Sequence, residues 1–188
     1  MIEPREVVTF WREAGPERWF SHDERFDQTF RERFEAAHLA AARRDLEDWV
    51  TTPDGALALV ILLDQFPRNC FRGTAHAYAT DCVALHYARR ALERGLDAQV
   101  DPLLRFFLYM PFEHSESLED QERAVTLIEG VSHELLQYAL AHRDVIRRFG
   151  RFPHRNRELC RDNTPEEQAY LDAGGGFVTK KSPEKESP

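Results

Sequence analysis

The chain has 188 residues, a net charge of −8 and an ordinary apolar fraction. That length suits one folded domain with a core of its own. The acidic balance argues against a nucleic-acid partner, which needs a concentrated basic surface, and no apolar run approaches the ~20 residues of a membrane span.

Helical signals dominate in chain order. "EPREVVTFWREAG" carries Pro4 near its start and Gly15 after its end. "SHDERFDQTFRERFEAAHLAAARR" opens with Ser21 and Glu24 in capping-box spacing, and Phe26, Phe30, Phe34, Ala37 and Ala41 then mark one face. "PDGALALVILLDQF" starts after Thr52 and is expected to stop at Pro67, which disfavours helix in the residue before it. "AHAYATDCVALHYARRALERG" runs to Gly95. "PLLRFFLYM" opens after Asp101 and is expected to close at Pro111, leaving "MPFEHSE" outside any helix. Ser117, Ser132 and the capping box Thr164-Pro165-Glu166-Glu167 start three further helices. No segment alternates as a strand would. The expectation is an all-α fold: one domain over residues 1–173, of about seven or eight helices and no sheet, then a flexible polar tail over 174–188.

Cys70, Cys82 and Cys160 are scattered and odd in number, with no C-x-x-C pair, and no secretory leader precedes Glu3. Reduced thiols in a cytoplasmic protein are the expectation. Lys180, Lys181 and Lys185 all fall in the last ten residues, so every other cation is an arginine.

Three polar residues interrupt apolar patterns. Asp64 shares a helical face with Leu57 and Ile61, and a buried carboxylate needs partners or loses its charge. Arg68 and Arg72 are near it in sequence, and Arg105 is a candidate in space. Arg105 is the only polar residue in "LLRFFLYM", and its guanidinium must meet carboxylates or carbonyls. His142 lies at the centre of a stripe of Leu135, Tyr138, Val145 and Phe149. It reads either as a neutral core histidine or as a base, acid or ligand.

Three proline-containing segments hold more polar groups than a helix stop requires: "DQFPRN", "MPFEHSE" and "RRFGRFPHRN". Gly150 and Pro153 account for the stop in the last of these, and helix-end carbonyls for Arg147, Arg148 and Arg151. They do not account for His154, Arg155 and Asn156 together. Glu113, His114 and Glu116, with His142 and His154, would make an oxygen–nitrogen shell, but at no known metal spacing, so no metal is assigned.

The blocks "LALVILLDQFPRNCFRGTAHAYATD", "FLYMPFEHSESLEDQE" and "AHRDVIRRFGRFPHRN", with "RWFSHDERFD" and "NTPEEQAYL", resemble the bacterial domain-of-unknown-function family 924 from about Val7 to Phe177. The resemblance implies a tetratricopeptide-like all-α array. It supplies no substrate, cofactor or catalytic residue. This chain departs from the family pattern at Cys160, where glycine is usual, and at Asn163, where serine is usual.

The functional expectation is a pocket for a small anionic ligand, a carboxylate or phosphate, oriented by arginines. Its candidate binding residues are Asp64, Arg68, Asn69, Arg105, His142, Arg151, Arg155 and Asn156. Glu113, His114 and His154 are the candidates for proton transfer. The alternatives are a tetratricopeptide-like scaffold for a protein partner and a buried polar network that fixes helix packing. No P-loop, Gly-x-Gly-x-x-Gly or G-x-S-x-G pattern is present.

Overall fold

The computed structural model describes residues 2–177; the expected tail from 178 onward, with the three lysines, lies outside the described residues. The α-helices are α1 (Pro4–Ala14), α2 (Pro16–Trp19), α3 (Glu24–Ala42), α4 (Pro53–Val60), α5 (Phe66–Cys70), α6 (Asp81–Glu93), α7 (Met110–Glu113), α8 (Leu118–Glu129), α9 (His133–Phe149) and α10 (Pro165–Asp172). Of these, α1, α3, α4, α6, α8, α9 and α10 have eight residues or more. No strand occurs among the described residues, and none of their helices is long and apolar enough to cross a membrane.

The core is built round α4 and its continuation. Every residue from Gly55 to Pro67 is buried, as expected of a helix apolar on all sides. α1, α6 and a 3-10 turn at Arg105–Leu108 pack on α4. The expected stripe on α3 faces inward: Phe26, Phe30, Phe34, Ala37 and Ala41 are all buried. Phe10 of α1 stacks on Phe26 and on Phe30 at 5.2 Å. Such ring pairs add about 1 kcal/mol each to the burial of their area.

Pro67 does not end the helix. The chain passes through one π-helical turn, Ile61–Gln65, and continues into α5. Phe66 donates its N–H to the Ile61 carbonyl, one residue further back than in an α-helix. Pro67 has no N–H to offer the Leu62 or Leu63 carbonyl, so both need another donor. His38 Nδ1 donates to Leu62 at 2.8 Å, and Thr80 Oγ1 to Leu63 at 2.5 Å. With its hydrogen on Nδ1, His38 accepts at Nε2, where His76 Nε2 donates at 2.9 Å. The break between α6 and the preceding 3-10 turn, Ala75–Tyr78, is what places Thr80 there.

Other boundaries shift for similar local reasons. Asp23, rather than Ser21, caps α3, accepting from Arg25 and Phe26 N–H. The expected nine-residue helix before Pro111 is a 3-10 turn instead, and Pro111 occupies the first turn of α7, where its missing N–H costs nothing. Part of "MPFEHSE" is therefore helical. Ser132 caps α9, Gly150 ends it in the left-handed region with φ of 68°, and Thr164 and Glu167 form the expected capping box of α10. Tyr138 is 56% exposed, so the inward stripe of α9 is narrower than its spacing suggests. Cys70 is half-buried, whereas Cys82 and Cys160 are exposed; all three are free. Beyond α10, Phe177 packs beside Val145, Ile146 and Phe152.

Thr80→Val removes the donor to Leu63 and is expected to cost ~2 kcal/mol in urea unfolding at pH 7. Adding Pro67→Ala, which restores an N–H, should recover part of that loss; strictly additive costs would refute the pairing.

Candidate functional site

The π-turn rotates Asp64 out of α-helical register and into the interior, where its side chain has no solvent exposure. Burial alone would raise its carboxyl pKa. Arg68 at 3.1 Å and His114 Nδ1 at 2.7 Å, with Gln65 donating at 2.6 Å, hold it well below its ordinary value. His114 therefore carries a hydrogen on Nδ1, and burial and Arg68 lower its own pKa. Arg68 also grips Asp81 in a two-pronged pair, Nη1 at 2.7 Å and Nη2 at 2.9 Å, with Nη1 shared between Asp64 and Asp81. Asp81 also meets Arg155 at 3.3 Å. The charges thus alternate along Asp64, Arg68, Asp81 and Arg155.

Glu113 sits beside this chain without a cation of its own. Burial first, and Asp64 second, push its carboxyl up to about 8, so it is protonated at neutral pH. Its Oε1 lies 3.2 Å from His142 Nδ1, whose hydrogen also goes to the Tyr138 carbonyl at 2.8 Å. Burial, then His114, lowers the His142 pKa far below its usual value. Burial and Arg155 take His154 down to about 3. The three histidines are neutral, and the two carboxyls are driven in opposite directions.

The three polar segments converge. Asp64 and His114 join the first to the second. Glu116 joins the second to the third, accepting from Phe152 N–H at 2.8 Å and from Arg161 at 2.7 and 3.0 Å. Gln121, fully buried on α8, donates to the Glu113 and Ser115 carbonyls at 2.6 and 2.7 Å and holds the second segment's turn. Arg155 stacks on Phe152 at 4.3 Å and on Tyr78 at 4.8 Å. Among the described residues, no group of three or more His, Cys, Asp or Glu is arranged to hold a metal ion.

A family model described as "Bacterial protein of unknown function (DUF924)" matches residues 7–175. The chain belongs to this family. None of the curated proteins matches it. A solved structure of a protein of unknown function, ATU0120 from Agrobacterium tumefaciens, is 51% identical, with a TM-score of 0.89 over 91% of this chain and 97% of that one. At that identity, the two chains share one architecture.

Asp64, Arg68, Glu113, His114, His142, His154 and Arg155 are brought together; four other expected site residues are not. Asn69 turns away and donates to Asp27 at 2.7 Å, on a separate cleft of about 230 Å³ also lined by His22 and Arg72. Among the described residues Arg105 donates to the Ala98 carbonyl, at 3.4 Å, from the 3-10 turn that packs on α4. Arg151 clasps Glu167 at 2.6 and 2.7 Å and fastens α10. Asn156 donates to Asn163 at 2.8 Å in the same fastening. Asp81, Tyr78, Gln121 and Phe177 complete the cluster, and sequence reasoning missed them. Asp81 carried a signal, an acid following Thr80 at a helix start, but that pattern is common for dipole reasons alone.

Two measurements follow from this geometry. Glu113 binds its proton more tightly folded than unfolded, so its contribution is complete below pH ~4.5 and is lost as pH rises through 8. The histidines act oppositely, contributing fully above pH ~6.5 and losing that contribution as pH falls. Urea titrations at pH 7 and about pH 8.5 should show wild type losing ~1.5 kcal/mol and Glu113→Gln losing less than about a third of that. Separately, Cys160 has φ of 53°, a conformation in which a side chain costs ~1 kcal/mol. Cys160→Gly should raise unfolding stability by about that amount, which a urea midpoint would register.

Proposed function

We propose that this three-segment cluster binds a small molecule carrying a carboxylate or phosphate and exchanges a proton with it. The observation that carries the reading is in "PHRN". Two successive residues of the cluster each hold a buried polar atom without a partner among the described residues: His154 Nδ1 and Arg155 Nε. More than about nine in ten buried polar groups in folded proteins are paired, so two adjacent ones in the cluster favour a place built to meet something else.

The charges favour an anion there. Arg68 is saturated by Asp64 and Asp81, whereas Arg155, stacked on two rings, has one ion pair, to Asp81, and an Nε without a partner among the described residues. Burial lowers the Arg155 pKa only to about 10, so it stays charged. Protonated Glu113, held near 8, is suited to give a proton, whereas burial and Arg155 make neutral His154 a weak base until a bound anion offsets that nearby charge. His114, held by Asp64, positions that carboxylate. The three free thiols accord with a reducing, cytoplasmic setting.

A specific observation favours a second reading, a purely structural network: Asp64 is fully buried, and each formal charge beside it meets an opposite one. Such networks specify an arrangement and add little stability.

Calorimetric titration of inorganic phosphate and of malonate at pH 7 separates the two. Wild type should bind at least one with a Kd of about 1 mM or tighter, and Arg155→Met should weaken it by at least about tenfold. Absence of binding in wild type, with a loss of ~3 kcal/mol in Arg155→Met stability, would leave the network as the answer.

A further inference from the structure

The segment after α10 ends on the cluster. The Phe177 ring lies flat on the His142 imidazole, with centroids 3.5 Å apart and planes within 10°. It meets the Phe152 ring edge-on at 6.2 Å and the His154 ring edge-on at 5.7 Å. His142, Phe152 and His154 therefore form a three-sided slot with the width of one planar ring. The preceding residue covers the slot's polar end: a Cβ on Gly176 would lie 2.9 Å from His154 Cβ and 3.8 Å from the unpartnered Nδ1.

Phe177 also packs beside Val145 and Ile146, so apolar and ring contacts hold this plug in place. Gly175 N–H reaches the Tyr170 carbonyl at 2.9 Å, but no hydrogen bond anchors Gly176 or Phe177 among the described residues. Three consecutive glycines lead into it, and such a run resists no particular path. An aromatic ring in a slot with two histidine walls is held by stacking worth about 1 kcal/mol per pair, which a competing ring of the same shape can supply.

We propose that this slot is a subsite for a planar aromatic acid, and that Phe177 occupies the position of its ring until ligand displaces it. The ring stacks on His142 between Phe152 and His154, and the acid group meets His154 Nδ1 and Arg155 Nε once Gly176 lifts away. For its acid group the proposal rests on the anion-binding reading above; for its ring it rests on the slot. The segment then acts as a built-in competitor, and its removal strengthens binding.

The test uses the full chain as wild type, Phe177→Ala and Phe177→Leu, titrated with benzoate and with cyclohexanecarboxylate, which has the same charge and reach but no planar ring. The His142 imidazole Cε1–H is followed by NMR. Phe177→Ala should bind benzoate about tenfold more tightly than wild type and about tenfold more tightly than it binds cyclohexanecarboxylate. The upfield shift imposed on the His142 proton by Phe177 should vanish in the variant and return with benzoate. Equal binding of both acids, unchanged by the substitution, would overturn the ring subsite and leave the anion site standing. Failure of either acid to bind any variant overturns the subsite, and the phosphate and malonate titration then decides separately whether the anion site survives. Phe177→Leu keeps apolar bulk without a ring and repeats the comparison if Phe177→Ala does not fold. Unfolding of both would show Phe177 to be core and end the proposal.

Discussion

A full negative charge on a helix that water does not reach is the constraint from which most of this fold's polar architecture follows. Asp64 cannot be left alone, because an unpaired buried carboxylate would cost several kcal/mol. Arg68 answers it from one turn away, and Arg68 is itself too deep to stand with a single partner. Asp81 supplies the second, and Arg155 closes the chain at the other end. Glu113 then lies next to a charge already placed, and it can be present only as the neutral acid. Four elements distant in sequence are thereby fixed relative to one another by the demands of one side chain.

The backbone solves a parallel problem at the same place. A proline inside a continuous helix strands carbonyls, and the π-turn moves the mismatch to where His38 and Thr80 can reach it. That turn also sets the direction in which Asp64 points. Proline, π-turn, histidine pair and buried acid are thus one device. A substitution at any of them is felt at the others, in the non-additive way expected of shared partners.

Much of this was legible in the chain. Caps, glycines and the period of α3 located most long helices, and the burial of Asp64 and His142 followed from polar residues in apolar patterns. What failed had physical causes. Pro67 reads as a stop because the rescue of its carbonyls comes from His38 and Thr80, residues 24 and 17 positions from the carbonyls they serve. Arg105 and Arg68 are both candidates to meet Asp64, one in space and one in sequence, but only tertiary packing decides which one faces it. Asn69 and Asn156 lie in the right segments and point the wrong way, because a turn distributes neighbouring side chains to opposite sides. Phe177 sits behind three glycines, where composition suggests a tail and only the slot on α9 reveals a contact.

The free thiols have a use that their chemistry does not announce. Cys82 follows Asp81, and Cys160 precedes Arg161, so the two exposed sulfurs flank the polar cluster from different elements. Cys70 is set apart: burial, then Asp27, raises its thiol to about 12, which leaves it slow toward electrophiles at neutral pH. The native chain thus carries its own pair of attachment points for spin labels or dyes. Distances between them would report any breathing between α6 and the His154 turn without a single engineered residue.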